Sequence, residues 1–339
     1  MFDDSLLDDE SALARVDVSL RYLAEAGARV RREAGESEAG VRRATETIRG
    51  SRPRAVVAAG PDSRLLRAVL EPWCPVPFVA WPGPKLPGWA GSLDLVVVLA
   101  PQGSDQDTAS AVAEAVRRGC QLVVACPERS LVAEHAAGRD SIVLPTVTGD
   151  QLATAVVVLE LLDLLDLAPV SKPGVVADAL DEVAVNCSPF RDIAVNPAKN
   201  LASAIADTQP MLWGGTVLAA RAARRVAESI RRATGRAALA ADVDHLLPVI
   251  ELAPEPDVFA DPFADTDDAG EMRPSLVILD DASEEPTVRQ SRSRLLAAAE
   301  RRGVRTETVT SEADGDLARY AALLATGQFA ATYLEVGLG

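Results

Sequence analysis

The sequence contains few histidines, cysteines, aromatic residues and lysines. Its 339 residues include 2 histidines, 4 cysteines and 4% aromatic residues, and its lysines are Lys85, Lys172 and Lys199. Cys120 and Cys126 bracket an apolar run, which predicts buried thiols, and the cysteines show no paired spacing typical of structural zinc. We therefore expect a reducing, cytoplasmic location and no metal or other cofactor.

Basic charge is also scarce. The 50 acidic residues outnumber the 34 basic residues and give a formal net charge of −16. No basic stripe is available to neutralise phosphates, so we expect neither nucleic acid nor an anionic membrane as a partner. The apolar stretch Leu152–Leu167 is interrupted by three acidic residues and is too polar to span a membrane. Residues 1–10 are acidic, which is not typical of a signal peptide.

The pattern that the sequence does have is strand–loop–helix–strand, centred on residues 93–126. Leu93–Leu99 and Gln121–Cys126 are apolar runs typical of buried strands, and Thr108–Gly119 has helical periodicity. This combination indicates a βαβ unit in a parallel sheet. Ligands bind beyond the carboxyl ends of such strands, which makes Ala100–Asp105 a candidate site.

Strand and helix patterns alternate in a similar way along the rest of the chain. This alternation predicts an α/β fold of two αβα sandwich domains, each with a mostly parallel, doubly wound sheet. We expect a helical segment at residues 1–50 that packs on the first domain. The first domain spans 51–170 and the second spans 201–339. Residues 171–200, which include Pro173, Pro189 and Pro197, are expected to form a crossing linker. The acidic residues 251–271 predict a surface loop, without the glycine spacing of a divalent-cation site.

Each half has a glycine-bearing turn between a strand and a helix. Gly60 and Gly103 lie in the first half, and Gly214 and Gly215 lie in the second. These turns are candidates for ligand contact, but any tandem α/β protein has such turns. The residues after Gly60 lack the G-x-G-x-x-G spacing, so we expect no dinucleotide site.

Three stretches of the chain follow the motifs of a known family. The first is A-P-Q-G-S-D-Q-D-T at Ala100–Thr108. The second is V-N-P-A-K-N-L-A at Val195–Ala202, followed by P-M-L-W-G-G at Pro210–Gly215. The third combines Leu276–Asp281, E-E-P-T-V-R-Q-S-R at Glu284–Arg292 and the C-terminal stretch Leu317–Leu334. Together they resemble the sugar isomerase (SIS) family, and within it the bifunctional phosphoglucose/phosphomannose isomerases. The resemblance implies two SIS-type domains.

The resemblance also implies a metal-free aldose–ketose isomerase of hexose phosphates. In that family a histidine helps to open the sugar ring, a glutamate moves a proton between C1 and C2, and a lysine assists. His245 and Glu228 are the best counterparts of the first two. A packed loop histidine is the other interpretation of His245, and a helix ion pair with Arg224, Arg231 or Arg232 is that of Glu228.

The family holds its phosphate with small hydroxyl residues and backbone N–H groups. By resemblance, the ligand-binding candidates in this chain are Gly60, Ser63, Gly103, Ser104, Asp105, Thr108, Gly214, Gly215 and Thr216. Ala100, Gln102 and Asp105 stand where the family's phosphate loop has hydroxyl residues. If the loop keeps the family's backbone, we expect Gly103 at the bend, Asp105 near the helix N-terminus and Thr108 in the first helical turn. An ionised Asp105 repels a phosphate dianion, because two unit charges 4 Å apart interact by about 4 kcal/mol at an effective dielectric of 20.

Two further departures concern catalysis. No lysine follows Lys199, and Ile230–Arg236 has no acid where the family has its glutamate. We therefore expect a catalytically degenerate SIS protein that binds or senses a phosphosugar or another carbohydrate derivative. The alternative is an active isomerase that interconverts glucose 6-phosphate or mannose 6-phosphate with fructose 6-phosphate. We also expect a homodimer, because Asp316–Val336 predicts a helix with more apolar surface than one face can cover.

Overall fold

The computed structural model of the protein describes residues 2–48, 50, 52–254 and 272–339. The strands are β1 (Val56–Ala59), β2 (Phe78–Trp81), β3 (Leu95–Leu99), β4 (Gln121–Cys126), β5 (Ser141–Pro145), β6 (Gln209–Gly214), β7 (Leu239–Ala240), β8 (Pro274–Asp280) and β9 (Arg305–Thr310). The α-helices are α1 (Glu10–Ala14), α2 (Asp17–Ala24), α3 (Ala26–Ile48), α4 (Ser63–Leu70), α5 (Gln106–Arg117), α6 (Leu131–His135), α7 (Gln151–Leu164), α8 (Pro173–Asn186), α9 (Pro197–Ile205), α10 (Val217–Thr234), α11 (Val243–Glu251), α12 (Pro286–Arg302) and α13 (Asp316–Leu338). None of these helices is long and apolar enough to cross a membrane.

The described residues divide into two compact units. Ala26–Asp178 forms the five-stranded unit, and residues 2–25 with Ala179–Gly339 form the four-stranded unit. The predicted segment 1–50 is thus divided, since its first part groups with the C-terminal half of the chain. One reason is long-range: the Asp8 carboxylate accepts a hydrogen bond from a lysine of α9.

The predicted linker, residues 171–200, contains helix α8 and the start of α9. Pro173 and Pro197, two of the prolines that suggested a linker, are the first residues of these helices. A proline is tolerated there because the first N–H groups of a helix have no intrahelical acceptor. Residues 255–271 of the predicted acidic loop lie outside the described residues.

The five-stranded sheet is parallel, with the order β2-β1-β3-β4-β5. Its β3 and β4 are buried on both faces, as their continuous apolar runs predict. Helices α5 and α6 pack on the face that includes Val57, Val96 and Val124. Cys120 and Cys126 are buried free thiols, as predicted. The strand order reverses between β1 and β3, which makes the carboxyl ends of these strands the expected ligand crevice of this unit.

The four-stranded sheet is also parallel, with the order β7-β6-β8-β9. Its order reverses between β6 and β8, so the turn after β6 corresponds to the turn after β1 in the other unit. The prediction of two α/β domains with parallel, doubly wound sheets is confirmed.

Helix α13 is covered within the four-stranded unit. Phe329 and Tyr333 are buried, and the helix packs against α2, α9, α10 and the 3-10 helix Asp4–Leu7. At its C-terminal end, a Cβ on Gly337 would lie 2.2 Å from Cε2 of Phe2. The apolar surface that was expected to pair two copies is therefore buried in a single chain. The homodimer stays a prediction, but α13 does not support it.

Candidate functional site

In the five-stranded unit, the turn after β1 lies directly against the start of α5. Gly60 has a φ of +88°, and a Cβ there would lie 3.0 Å from Oγ1 of Thr108. Both the backbone conformation and the close approach therefore favour glycine. The Gly60 carbonyl accepts a hydrogen bond from the N–H of Ser63 at 3.1 Å. Ser63 is buried, and its hydroxyl has no hydrogen-bond partner in the described residues.

Asp105 caps helix α5. Its Oδ2 accepts hydrogen bonds from the N–H of Thr108 at 2.7 Å and from Oγ1 of Thr108 at 2.6 Å. The carboxylate thus satisfies a donor that a bound anion could otherwise use. The predicted backbone is confirmed, with Gly103 at the bend, Asp105 at the helix N-terminus and Thr108 in the first turn.

The bend before this cap leaves no room for a side chain. Gly103 has a φ of +66°, and a Cβ there would lie 2.4 Å from Cβ of Ser130. Gln102 donates from Nε2 to the carbonyl of Gly149 at 2.9 Å, which ties the loop to the residues before α7. Ser104 is exposed. The loop therefore keeps a tightly fixed backbone, and Ser104 offers an accessible hydroxyl.

A second turn that contains a carboxylate lies at the carboxyl end of the four-stranded sheet. A Cβ on Gly214 would lie 2.2 Å from the backbone carbon of Ala219, and Gly215 has equally little space. Oγ1 of Thr216 accepts a hydrogen bond from the N–H of Ala219 at 3.1 Å, which caps α10. The same hydroxyl donates to Oδ2 of Asp281. The structure thus brings Gly214, Gly215 and Thr216 together with Asp281.

The sequence patterns did not single out Asp281 as a site residue. It directly follows β8, and Arg319 donates to its backbone carbonyl at 3.3 Å. The preceding Asp280 forms an ion pair with Arg292. The sequence did contain a sign of a site here, because Asp280 and Asp281 follow an apolar run and so lie at the carboxyl end of a strand, where ligands bind in parallel sheets. The sequence does not show which of the two turns toward Thr216.

His245 lies on the surface, in the first turn of α11. Its Nδ1 is 2.5 Å from Oδ1 of Asp242, the residue that caps this helix. The hydrogen bond to this carboxylate raises the pKa of His245, and the same contact lowers the pKa of Asp242. The histidine side chain is 77% exposed. The interpretation as a packed loop histidine is therefore wrong, and the ring is not enclosed in a pocket.

Glu228 lies on α10 in an ion pair with Arg225, whose Nη1 is 2.6 Å from Oε2 of Glu228. An ion pair within the helix was one of the two interpretations of Glu228, although with other arginines as partners. Among the described residues, no hydrogen bond joins Glu228 to His245. Each predicted acid–base group is instead held by a neighbour on its own helix or helix cap.

Lys199 of the N-P-A-K stretch is a buried structural residue. Its Nζ donates to Oδ1 of Asp8 at 2.5 Å and to the carbonyls of Pro189 and Arg191 at 2.9 Å each. Asn196 caps α9 through the N–H groups of the next residues. All three donor positions of the ammonium group are used, so Lys199 is not available to a substrate.

The comparisons with known proteins agree with this architecture. Residues 194–339 match the family model described as the bacterial phospho-glucose isomerase C-terminal SIS domain. This part of the chain is therefore similar in sequence to that SIS domain. The matched residues include the turn at Thr216 and Asp281, and also both predicted acid–base residues. No curated protein matches the chain in sequence.

Solved structures share the fold of nearly the whole chain. Tagatose-6-phosphate ketose/aldose isomerase from Escherichia coli is 14% identical, with a TM-score of 0.65 over 94% of this chain and 92% of that chain. The C-terminal domain of glucosamine-fructose-6-phosphate aminotransferase from Francisella tularensis is 12% identical, with a TM-score of 0.64 over 93% and 94%. A glucose-6-phosphate isomerase like protein from Thermus thermophilus is 14% identical, with a TM-score of 0.51 over 91% and 92%. At these identities the likeness shows the SIS fold.

Proposed function

We propose that this protein is a non-catalytic SIS protein that binds a carbohydrate derivative at the crevice between β1 and β3 of the five-stranded unit. The observation that carries the proposal is the Asp105 cap. Its carboxylate takes the helix N-terminus at the topological switch point, where an anionic group of a ligand would bind. The anion position is thus filled by the protein's own side chain.

The filled position favours sugar hydroxyls over phosphate as the recognised group. A carboxylate accepts hydrogen bonds from hydroxyls. It repels each unit of negative charge on a phosphate by about 4 kcal/mol at 4 Å and an effective dielectric of 20. A phosphosugar is therefore a weak ligand of the unaltered protein, and a carbohydrate without a phosphate at this position is the better fit.

The placement of the acid–base candidates supports the absence of isomerisation. A general base has to reach the proton that it abstracts, directly or through one water. His245 and Glu228 lie on different helices, and each is bonded to a local partner. Lys199 is buried and fully hydrogen-bonded. We expect no interconversion of glucose 6-phosphate, mannose 6-phosphate and fructose 6-phosphate in a coupled assay. A turnover above about 1 per second that His245→Ala abolishes would contradict this expectation.

The role of Asp105 is tested by restoring hydroxyls to the loop. The double variant Asp105→Thr with Gln102→Ser removes the repelling charge and keeps an N-cap oxygen. We expect it to bind fructose 6-phosphate at least about tenfold more tightly than the parent in calorimetry. Its thermal stability without ligand should be slightly lower.

The matched control is Asp107→Thr with Gln106→Ser, which removes the same charge from the first turn of α5 without altering the cap. It should leave the affinity for fructose 6-phosphate within about twofold of the parent. Equal gains in the two double variants would assign the effect to net charge and not to the cap. No gain in the loop variant would show that the crevice does not bind phosphosugars even with the cap charge removed.

A further inference from the structure

The two sheets differ at one edge. In the five-stranded unit, β5 pairs with the outer side of β4. In the four-stranded unit, β9 has the place in the strand order that corresponds to β4, and it is the edge strand of the sheet formed by the described residues. An edge strand presents backbone N–H and C=O groups that another strand can pair with.

A cavity of about 550 Å³ runs along this edge. Four consecutive residues of β9, from Glu307 to Thr310, line it. Side chains alternate between the two faces of a strand, so four consecutive residues line one cavity only if it borders the edge of the strand. The other walls come from the C-terminal part of α8, the start of α9, the residues after β9 and α13. We call this cavity the β9 groove; all of its lining residues belong to the four-stranded unit.

The floor of the β9 groove is apolar. Val183 of α8, Leu201 of α9 and Ala322 of α13 line the cavity and are buried. The Cys187 thiol also lies there, and its burial raises its pKa to about 12, so it stays a neutral, weakly polar group. Such a floor suits apolar side chains that alternate along an extended chain.

The rim of the β9 groove is acidic. Glu182, Glu307 and Glu312 line it, and none of the three has an ion-pair partner among the described residues. Arg191, close to the groove, is hydrogen-bonded to Oδ1 of Asn186. Among the described residues, no group of acidic, cysteine and histidine side chains could hold a metal ion, so these carboxylates are not a cation cluster.

We propose that the β9 groove binds an extended, basic segment of a partner protein, which adds to β9 as a fifth strand. Backbone pairing with the edge provides the register, apolar side chains of the segment face the floor, and lysine or arginine side chains meet the acidic rim. A second copy of this chain is a poor occupant, because its net charge is also −16. The proposal is independent of any activity at the β1–β3 crevice.

The probe is a fluorescein-labelled peptide of about six residues that alternates lysine and valine. We expect saturable binding to the full chain by fluorescence anisotropy. The variant Glu182→Gln, Glu307→Gln, Glu312→Gln should bind at least about tenfold more weakly. The control variant Glu284→Gln, Glu300→Gln, Glu335→Gln removes three exposed charges of the same unit that do not line the groove. It should stay within about twofold of the parent.

Two measurements test the added strand itself. A peptide of the same sequence with N-methylated amides along one edge should fail to bind, and hydrogen exchange of the β9 amides should slow when the unmodified peptide binds. No binding of the probe, equal weakening in both triple variants, or undiminished binding of the methylated peptide would overturn the proposal. Protection of β9 that increases with protein concentration in the absence of peptide would assign the groove to a second copy and would also overturn it.

Discussion

Each unit places a carboxylate at the carboxyl end of its sheet, near the point where the strand order reverses, but the capped helices follow non-equivalent strands. In the five-stranded unit, Asp105 is the N-cap of α5, and it accepts hydrogen bonds from a residue three positions later. In the four-stranded unit, the N-cap of α10 is Thr216, and the carboxylate comes from Asp281, at the end of the neighbouring strand. Both arrangements put negative charge near a helix N-terminus, where the helix dipole stabilises it.

The difference between the units is the range of the contact. The Asp105 cap joins residues only three positions apart, so it can form together with helix α5 without contacts from other elements. The Thr216–Asp281 contact joins residues 65 apart in sequence and needs β6 and β8 to be paired in register. We therefore expect changes at the Thr216–Asp281 contact to affect the stability of the four-stranded unit more than changes at Asp105 affect that of the five-stranded unit.

The largest effect is expected from two glycines, Gly214 in the turn before α10 and Gly60 in the turn after β1 that contacts α5. Gly214→Ala should lower the free energy of unfolding by about 3 kcal/mol or more, because the new Cβ meets the backbone of α10. Gly60→Ala should cost about 1–2 kcal/mol, because its positive φ is strained for alanine. Urea unfolding measures both. Gly88→Ala, with no atom within 4 Å of the new Cβ, is the control and should stay within about 0.5 kcal/mol of the parent. Similar losses of unfolding free energy in Gly214→Ala and Gly60→Ala would remove the expected difference between the two units.

The next largest effect on stability is expected from Asp281, whose carboxylate accepts the hydrogen bond from Thr216. Asp281→Ala should lower the free energy of unfolding by about 2 kcal/mol, because hydrogen bonds to charged groups contribute about 1.5–3 kcal/mol. Thr216→Ser keeps the hydroxyl and should be close to the parent. Asp314→Ala removes a charge from an exposed loop of the same unit and serves as the control. If Asp281→Ala is no more destabilising than Asp314→Ala, the contact does not hold the turn.

Asp105, the N-cap of α5, should have a smaller effect on stability. Asp105→Ala should lower the free energy of unfolding by about 1 kcal/mol, the typical loss for an N-cap. Asp105→Asn keeps an acceptor oxygen and should recover most of this loss, which would show that the cap acts through its hydrogen bonds. The comparison fails if Asp105→Asn is as destabilising as Asp105→Ala.

The smallest effect concerns His245. Its pKa should lie above the ordinary value of about 6.5 in an NMR titration, because Asp242 stabilises the charged ring. The raised pKa means that this contact contributes stability below the unfolded pKa and that the contribution is lost as pH rises through the folded value. Asp242→Ala should return the pKa toward 6.5, and Asp281→Ala should leave it unchanged. A shift caused by Asp281→Ala would connect the histidine to the second turn.

Local patterns predicted much of the fold. Strand β4 has the predicted bounds Gln121–Cys126, and Asp105, Gly103 and Thr108 take their predicted places around the start of α5. Helix α8 was missed because Pro173 suggested a linker, and β7 is too short, at two residues, to give a clear periodic signal. Elements with strong periodicity or a local cap were therefore predictable, and short elements and helices that begin at a proline were not.

The sequence by itself determined the strongly periodic strands and helices, the parallel order of the βαβ units and the Asp105 cap, because apolar periodicity and capping act between near neighbours. Only the tertiary structure decided that Asp8 pairs with Lys199, that Asp281 meets Thr216 and that α13 is covered within one chain. These contacts depend on how separate elements pack, and residue spacing along the chain carries no record of that packing. The sequence shows that Asp105 and Asp281 are acidic residues. That Asp281 accepts a hydrogen bond from Thr216 becomes visible only when β6 and β8 are paired in the sheet.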